Sequence, residues 1–516
     1  MSSSAPTSAQ TGYQGNDKVL IGIICGVLTY WLFAQTTFNV APSMQRDLHF
    51  QSGLFSVAIS ITALTSGIMI VVIGGLADRF GRVKVAVIGN ILGLAGALII
   101  ALLPTGAGGP VTDLGNAAAM NPNPITMPLL FLARVMQGLS AAAIMSGTLA
   151  LVKAYWHGAG RQRAVSLWSI GSWGGASVAS FLAGVMERTP VLGWRSIFFM
   201  SAIFSVISIL LIRGVPESKA EGQESKRFDM TGLVLFMVGM VALQIWMTQG
   251  GEFGWGSALA MVLLAVAVAF LFGFFKVETN QKNSNPFIDF RLFKNKTFTA
   301  CLLSNMLLNG TASGMVLVTS MLMQTGGTMN ALEAGNLTIG YAVGLILFIR
   351  MGEKLLQIMG PRNSMIIGCA LAGLAIALML PTQLMETQYL WFAIVGFTIY
   401  GIGVGIYATP STDTALATLP DHMGGAGAGL YKMSSTIGGA FGLAISAGVY
   451  LGVRGQTALG GEGLGWLSGM IEFVGRQDNV ANRQAAMIAL LINVLMMVVS
   501  VIAIAMTVPK NQKAFD

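Results

Sequence analysis

The apolar residues of this chain fall in long continuous runs, without the three-to-four-residue rhythm of a half-exposed helix or the alternation of a half-exposed strand. Fourteen runs read as candidate helices across about 30 Å of hydrocarbon. They cover residues 19–41, 55–76, 83–103, 127–152, 165–186, 194–212, 230–247 and 258–275, then 298–323, 337–349, 365–380, 390–412, 425–451 and 485–508. Two of the intervening segments are long: Pro104 to Thr126, rich in Gly, Pro, Asn and Ala, and Gly452 to Arg483. The second contains Leu464 to Phe473, which reads either as a short amphipathic segment lying in the interface or as a tolerated surface insertion. A polar start, Met1 to Asp17, leads into the first run with no small-residue cleavage site, so that run is expected to stay as a helix. The pattern predicts an all-α membrane protein.

Composition narrows the function. Charged residues make up 10% of the 516, against about 25% in a soluble domain. With 54% hydrophobic residues and a mean hydropathy of +0.71, an ordinary soluble enzyme is excluded. The formal charge of +8 is spread singly or in small groups between apolar runs, with no basic and aromatic groove for nucleic acid. Its distribution sets the topology. With the N-terminus inside, 21 basic residues fall in cytoplasmic segments and 6 in outer ones, so both termini are expected on the cytoplasmic side of the cell (inner) membrane. Cys25, Cys301 and Cys369 lie inside apolar runs and only three histidines could join them, so neither disulfides nor a metal site is expected. The G-x-G patterns at Gly401 to Gly405 and Gly425 to Gly429 follow no strand and carry no Walker lysine, which argues against a nucleotide site. No H-E-x-x-H or nucleophile elbow is present, so an enzyme is not expected.

A weak internal repeat organises the runs. Gly174-Gly175-Ala176 followed by Ala183-Gly184-Val185 in the fifth run returns as Gly438-Gly439-Ala440 and Ala447-Gly448-Val449 in the thirteenth. Gly81 and Gly89 return as Gly360 and Gly368, and Gln35 and Asn39 in the first run match Asn305 and Asn309 in the ninth. Eight runs separate the two starts, an even number, so the copies share an orientation. Two six-helix bundles in parallel repeat, with two inserted central helices, make up the expected 14 transmembrane helices. The expected organisation is a cytoplasmic tail over 1–17, a first bundle over 18–214, and a linker with the inserted helices and following loop over 215–296. A second bundle then covers 297–509, and a cytoplasmic tail 510–516.

The stretch Gly74-Gly-Leu-Ala-Asp78-Arg79-Phe-Gly81-Arg82-Val-Lys84 follows the second run. Its glycines permit a tight turn and close packing, and a carboxylate with basic residues inside seven positions can pair across a cytoplasmic gate. It resembles the G-x-L-a-D-r-x-G-r-k signature of the major facilitator superfamily. That resemblance implies the major facilitator fold and a role for Asp78 as cap of a helix N-terminus in the opposite half. Here the helix would begin at Gly424 to Gly429, whose free amides favour an anion. The other reading is that these charges only anchor topology. Leu130, Arg134, Gln137-Gly138 and Ala141-Ala142 are similar to the family's second signature, whose arginine the family links to proton transfer. An arginine inside a bilayer costs at least about 2.5–3.5 kcal/mol, so Arg134 should face protein or water, and structural pairing alone would also account for it. Gly171, Gly175 and Gly184 resemble the antiporter signature with Ala176 in place of its usual proline, and close helix packing explains them equally well.

Several longer stretches are more specific. Trp31-Leu-Phe-Ala-Gln-Thr, Trp168-Ser-Ile-Gly-Ser-Trp-Gly-Gly, Phe287-Ile-Asp-Phe-Arg-Leu-Phe-Lys-Asn-Lys296 and Gly405-Ile-Tyr-Ala-Thr-Pro-Ser-Thr-Asp-Thr are similar to quinolone and multidrug efflux transporters of the NorB/NorC type, in the fourteen-helix drug:proton antiporter group. The resemblance implies secondary-active export of amphiphilic compounds by alternating access, driven by the proton gradient with no cofactor. A dedicated metabolite or polyol carrier of the same fold is the alternative. Expected partners are small amphiphilic substrates, protons and lipids, with no nucleic acid, and the chain is expected to be monomeric.

Many members of that group carry an acidic residue five positions before the Asn of an N-V-A motif; counting back from Asn39-Val40-Ala41 gives Ala34. Proton coupling should therefore rest elsewhere, on Asp413, Lys432, Arg134 or, near the outer end of the tenth helix, Glu333. Asp413 and Lys432 should sit at similar depth, as a pair that opens during transport or as a static tie. For the substrate cavity the candidates are Gln35, Asn39, Asn305 and Asn309, with Gln137, Trp168 and Tyr431. The amides, four apart in each pair, share a helix face and suit polar ligands without fixed charge, or else bond between helices. The 31 methionines, with Trp31, Trp168, Trp173 and Trp246, read as a soft wall for varied drugs or as core filler.

Overall fold

The computed structural model describes residues 13–50, 52–106, 122–186, 192–219, 229–254, 256–280, 288, 290–327, 329, 331–458, 470–475 and 477–510; the side chains of Gln35 and Asn39 lie outside that description. Every regular element among the described residues is helical. The helices are α1 (Asp17–Leu48), α2 (Ser52–Phe80), α3 (Arg82–Ala101), α4 (Thr126–Tyr155), α5 (Gly158–Met186), α6 (Arg195–Ile212), α7 (Met230–Phe253), α8 (Ala258–Glu278) and α9 (Lys296–Met321). A continuous helix Ile339–Leu378 then breaks at Gly360 into two arms, α10 (339–359) and α11 (361–378). Helices α12 (Glu386–Ala417), α13 (Gly424–Ala458) and α14 (Val480–Thr507) complete the chain.

Twelve of the described helices are long and apolar enough to cross a membrane. The kinked helix is one of them and supplies two crossings, while α5, 29 residues long but rich in Ser, Gly and Trp, is too polar to be counted by hydropathy and makes the fourteenth. Several helices start where a side chain accepts a first-turn amide: Asn16 for α1, Asp229 for α7, Ser257 for α8 and Asn295 for α9.

The helices outrun the apolar runs. The first reaches Leu48, past Ala41, and α10 carries Arg350 and Lys354 on helix where the pattern places a polar connection. Hydropathy marks only the part that needs hydrocarbon; the backbone ladder continues into the headgroups as long as its hydrogen bonds are kept. Between α10 and α11 only Gly360 interrupts, at φ 78°, with Pro361 opening the next arm, where its missing N–H costs nothing. The segment after α13 is likewise shorter than its reading, since α13 runs to Ala458 and α14 starts at Val480. Most of the Pro104–Thr126 connection and residues 459–469 lie outside the described residues, so the Leu464–Phe473 stretch is seen only from Met470 onward.

The contacts divide the chain into two compact units. One comprises Met1–Lys226 with Pro420–Gly429, the other Arg227–Leu419 with Leu430–Asp516. In the first unit α1 packs on α5 and α6, α3 lies against α4 and α6, and α2 against α4. In the second, α9 packs on α14 and α12 as α1 does on α6 and α4, and the α10–α11 helix packs on α12 and α14 as α2 and α3 together do on α4 and α6. The duplication extends to backbone detail. Gly81 and Gly360, at equivalent turns, both hold positive φ, 121° and 78°. Small residues let the helices approach in both copies: a Cβ on Gly175 would run into Trp31 of α1, and one on its counterpart Gly439 would stand 3.2 Å from Ser313 Oγ of α9. Helices α7 and α8 pair with each other, and Val262, Val268 and Phe272 of α8 are exposed, the side chains that lipid covers.

Candidate functional site

The turn between α2 and α3 is where the charged residues of the first unit converge. Asp78, on the last turn of α2, is 4% exposed. Its carboxylate accepts the Gly425 amide at 2.7 and 2.8 Å and the Ala426 amide at 2.9 Å, so it caps α13 from 347 residues away. That helix brings no acid of its own to its first turn. The orphan amides and the positive end of the helix dipole are met by this one imported charge. Glycine makes the approach possible. A Cβ on Gly425 would stand 3.0 Å from the Asp78 carboxyl and on the Gly74 carbonyl oxygen, and one on Gly74 would strike Gly425 in turn.

Arg82, 4% exposed at the start of α3, balances the carboxylate. Its Nε and Nη2 donate to Asp78 Oδ1 at 3.0 and 2.8 Å, Nη2 also donates to the Asp421 carbonyl at 2.8 Å, and Nη1 to Ser218 Oγ at 3.2 Å. A buried pair with its remaining protons satisfied is the geometry in which Coulomb attraction survives desolvation. Lys153 Nζ lies 3.1 Å from Asp421 Oδ1, but that carboxylate is 87% exposed, so the pair contributes at most about 1 kcal/mol.

The α3 N-terminus is held by a residue the sequence reading passed over. Glu217, just after α6, accepts the Val83 amide at 2.8 Å and the Lys84 amide at 3.0 Å, while the Arg82 amide donates to the Ser218 carbonyl at 2.9 Å. The available signal was an acid directly after the proline that ends an apolar run, Pro216-Glu217-Ser218. Lys84 thus enters through its backbone, and Arg79 is half-buried with its guanidinium 5.6 Å from the Phe80 ring centre. Gly81 sits between these groups at φ 121°, and a Cβ there would overlap the Glu217 carboxyl. Gly81→Ala should therefore destabilise the protein by about 1–3 kcal/mol. Thermal unfolding of the purified protein checks this, and an unchanged Tm would show that the turn tolerates a side chain.

Deeper in the same unit Arg134 of α4 is fully buried. It donates to the carbonyls of Phe33 at 2.7 Å and Ile59 at 2.8 Å, to Thr37 Oγ1 at 3.1 Å and to Gln137 Oε1 at 2.9 Å. One guanidinium thus ties α1, α2 and α4 together. Trp168, also fully buried, donates its indole N–H to Thr148 Oγ1 at 3.1 Å.

In the second unit the amide pair of α9 faces α13. The Asn305 amide nitrogen donates to the Tyr431 carbonyl, Ser434 Oγ and Ser435 Oγ, all at 2.8 Å, and Asn309 donates to the Asn305 carbonyl and Oδ1 at 2.8 and 3.0 Å. Tyr431 OH donates to Ser411 Oγ at 3.0 Å, Ser411 to Tyr407 OH at 2.8 Å, and Tyr407 meets Ser304 Oγ at 2.6 Å, a buried chain of hydroxyls joining α13, α12 and α9. Thr412 Oγ1 lies 3.2 Å from Tyr431 OH, which puts the residues preceding Asp413 and Lys432 on facing turns. Asp413 is 4% exposed and Lys432 half-buried. Glu333 is exposed on a short helix, Ala331–Asn336, before α10. Gln35 and Asn39 lie on α1, and their side chains are outside the description.

A family model, the Major Facilitator Superfamily, matches residues 21–443. The chain belongs to the major facilitator superfamily. It is a membrane transporter and not an enzyme. It is 41% identical over 504 residues to the quinolone resistance protein NorB of Staphylococcus aureus strain COL, and likewise to that of strain JH9, covering 98% of both chains each time. Among solved structures, the proton:xylose symporter XylE superposes with a TM-score of 0.61 at 14% identity, over 96% of each chain. The human organic anion transporter MFSD10 gives 0.58 at 11% identity, over 93% of this chain and 99% of that one. At such identities these two structures speak to the fold of this superfamily member alone.

Proposed function

We propose that this transporter exports amphiphilic, quinolone-like compounds across the cell membrane in exchange for protons, by alternating access, with both termini in the cytoplasm. What carries this reading is the 41% identity to the NorB proteins over nearly the whole of both chains. The basic residues in and beside the α2–α3, α4–α5 and α10–α11 turns support that orientation. The Asp78 cap on α13 is the cytoplasmic latch, made in one conformation and released in the other. Proton coupling falls to Asp413, a carboxylate on a membrane-crossing helix at 4% exposure, with Lys432 on the facing helix as its charge partner through the cycle. The exposure of Glu333 leaves it outside this role.

Inverted membrane vesicles test the reading directly. An imposed pH gradient, acidic inside, should drive uptake of a fluoroquinolone, and an uncoupler should collapse it. Asp413→Asn should lower gradient-driven uptake by about tenfold or more while leaving binding of the drug in place. Uptake that ignores the uncoupler removes proton exchange, and full gradient dependence in the variant removes Asp413.

A further inference from the structure

Within the second unit a furrow of about 370 Å³ runs along the seam between α11 and α14. Its floor lies where the two helices meet: a Cβ on Gly373 would stand 3.2 Å from Met497 Cβ, and the buried Cys369 thiol lies 3.4 Å from Ser500 Oγ. One turn to either side of Gly373, Ala370 and Ala377 are too short to fill the space, while Leu374 and Ile502 stand up as ridges, 54% and 50% exposed. Small residues at a membrane seam ordinarily bring two backbones together. Gly373 does so, but Ala370 is exposed and leaves room beside it. The furrow is open to lipid.

One end of the seam is charged. Arg362, Ile366, Ala370, Gly373 and Ala377 recur every three or four residues, so they share one face of α11. Arg362 Nη2 donates to the Ala505 carbonyl of α14 at 2.5 Å, one turn past Ile502, which holds the guanidinium over the same seam. Its Nε, though buried, has no hydrogen-bond partner among the described residues, where such groups are ordinarily satisfied. Lys510 is exposed just after α14, and Lys296 is exposed at the start of α9, whose Thr297 hydroxyl donates to the Thr507 carbonyl at 3.5 Å. Neither α11 nor α14 carries an acidic residue to balance these cations.

We propose that this furrow binds an anionic phospholipid of the leaflet beside the Gly360 turn, one acyl chain lying in the furrow and the phosphate held by Arg362, Lys510 and Lys296. The lengths agree. A leaflet measures about 20–22 Å from its polar surface to the midplane, and Ala377, at the far end of the furrow, lies about 22 Å along the axis from Arg362. A cationic site at the end of a helix seam favours anionic headgroups, because the ammonium of a zwitterionic one meets the same cations. The site is independent of the transport reading, since it needs the bilayer but no gradient and no release of Asp78.

The test is photo-cross-linking of the full-length protein in phosphatidylcholine nanodiscs doped with phosphatidylglycerol or phosphatidylcholine bearing the same diazirine acyl chain, with labelled peptides mapped by mass spectrometry. The phosphatidylglycerol probe should label the furrow residues of α11 and α14 at least about tenfold more than its phosphatidylcholine counterpart. The exposed face of α8 around Val262 and Val268 should show no such preference. Arg362→Gln should cut the preference at the furrow about fivefold, and Arg362→Lys should keep most of it. Ala370→Trp, which fills the furrow from its exposed side, should remove furrow labelling by both probes and leave α8 labelling as it was. Equal labelling of the furrow by the two probes, an equal preference at α8, a preference that survives Arg362→Gln, or furrow labelling undiminished in Ala370→Trp would each overturn the proposal. If Arg362→Gln does not fold, the two-probe ratio and Ala370→Trp decide it, because that tryptophan enters space now open to lipid.

Discussion

Asp78→Asn should lower transport by about 10²-fold while the protein still folds. The carboxylate accepts three amide contacts from α13 and the paired donors of Arg82, all out of water. An asparagine keeps one acceptor and turns an NH2 group toward donors, leaving the Arg82 guanidinium without its counter-charge. Breaking a buried pair from one side costs about 3–5 kcal/mol. If the contact exists in one conformation of the cycle only, that energy shifts the balance between states by about 10²-fold or more. Asp78→Glu should fail as well, by about tenfold, because Gly74 and Gly425 leave no room for another methylene. Cys25, Cys301 and Cys369 are all buried, so a single reporter, Met423→Cys, can be read against a low background. Its maleimide labelling should speed up in the Asp78→Asn protein. Unchanged labelling with lost transport would mean that Asp78 acts on something other than the α13 latch.

The architecture was legible because membrane solvation writes itself locally. Each crossing needs its own apolar run, and α5, too polar to be counted by hydropathy, was still visible between charged turns. The repeat was legible for a related reason: Gly81 and Gly360 hold backbone conformations that disfavour a side chain, so the same residue recurs at the same turn. Partner choice was not legible. Glu217 reaches the α3 amides from 134 residues away and Arg82 reaches the Asp421 carbonyl across 339, and no spacing rule encodes such distances. The Asn305 and Asn309 pair shows the limit most plainly. Their four-residue spacing places them on one face, but it cannot say that α13 occupies that face and takes up the Asn305 amide protons through a carbonyl and two serines. The same holds for Arg483, a charge placed in an outer segment by sequence and found at 5% exposure on four carbonyl oxygens.

Arg134 separates charge from shape. Arg134→Lys keeps the charge, so if a cation at this depth were all that mattered, transport would survive. The geometry argues the opposite. Phe33 and Thr37 of α1, Ile59 of α2 and Gln137 of α4 approach the guanidinium from different helices, and a planar fork with fixed N–H directions spans them. A lysine ammonium has three protons at one point and cannot reach all four acceptors. Each hydrogen bond to a charged group contributes about 1.5–3 kcal/mol, so losing one or two outweighs any gain from keeping the charge. Arg134→Lys should therefore reduce transport by about tenfold or more, at near-normal expression. Arg134→Met removes the charge and strands the acceptors, and should cut the yield of folded protein sharply, because the three helices lose their common tie. Both are read from transport in proteoliposomes normalised to folded protein. Full activity in the lysine variant would leave Arg134 as a charge alone and remove the argument that its fork sets the packing of α1, α2 and α4.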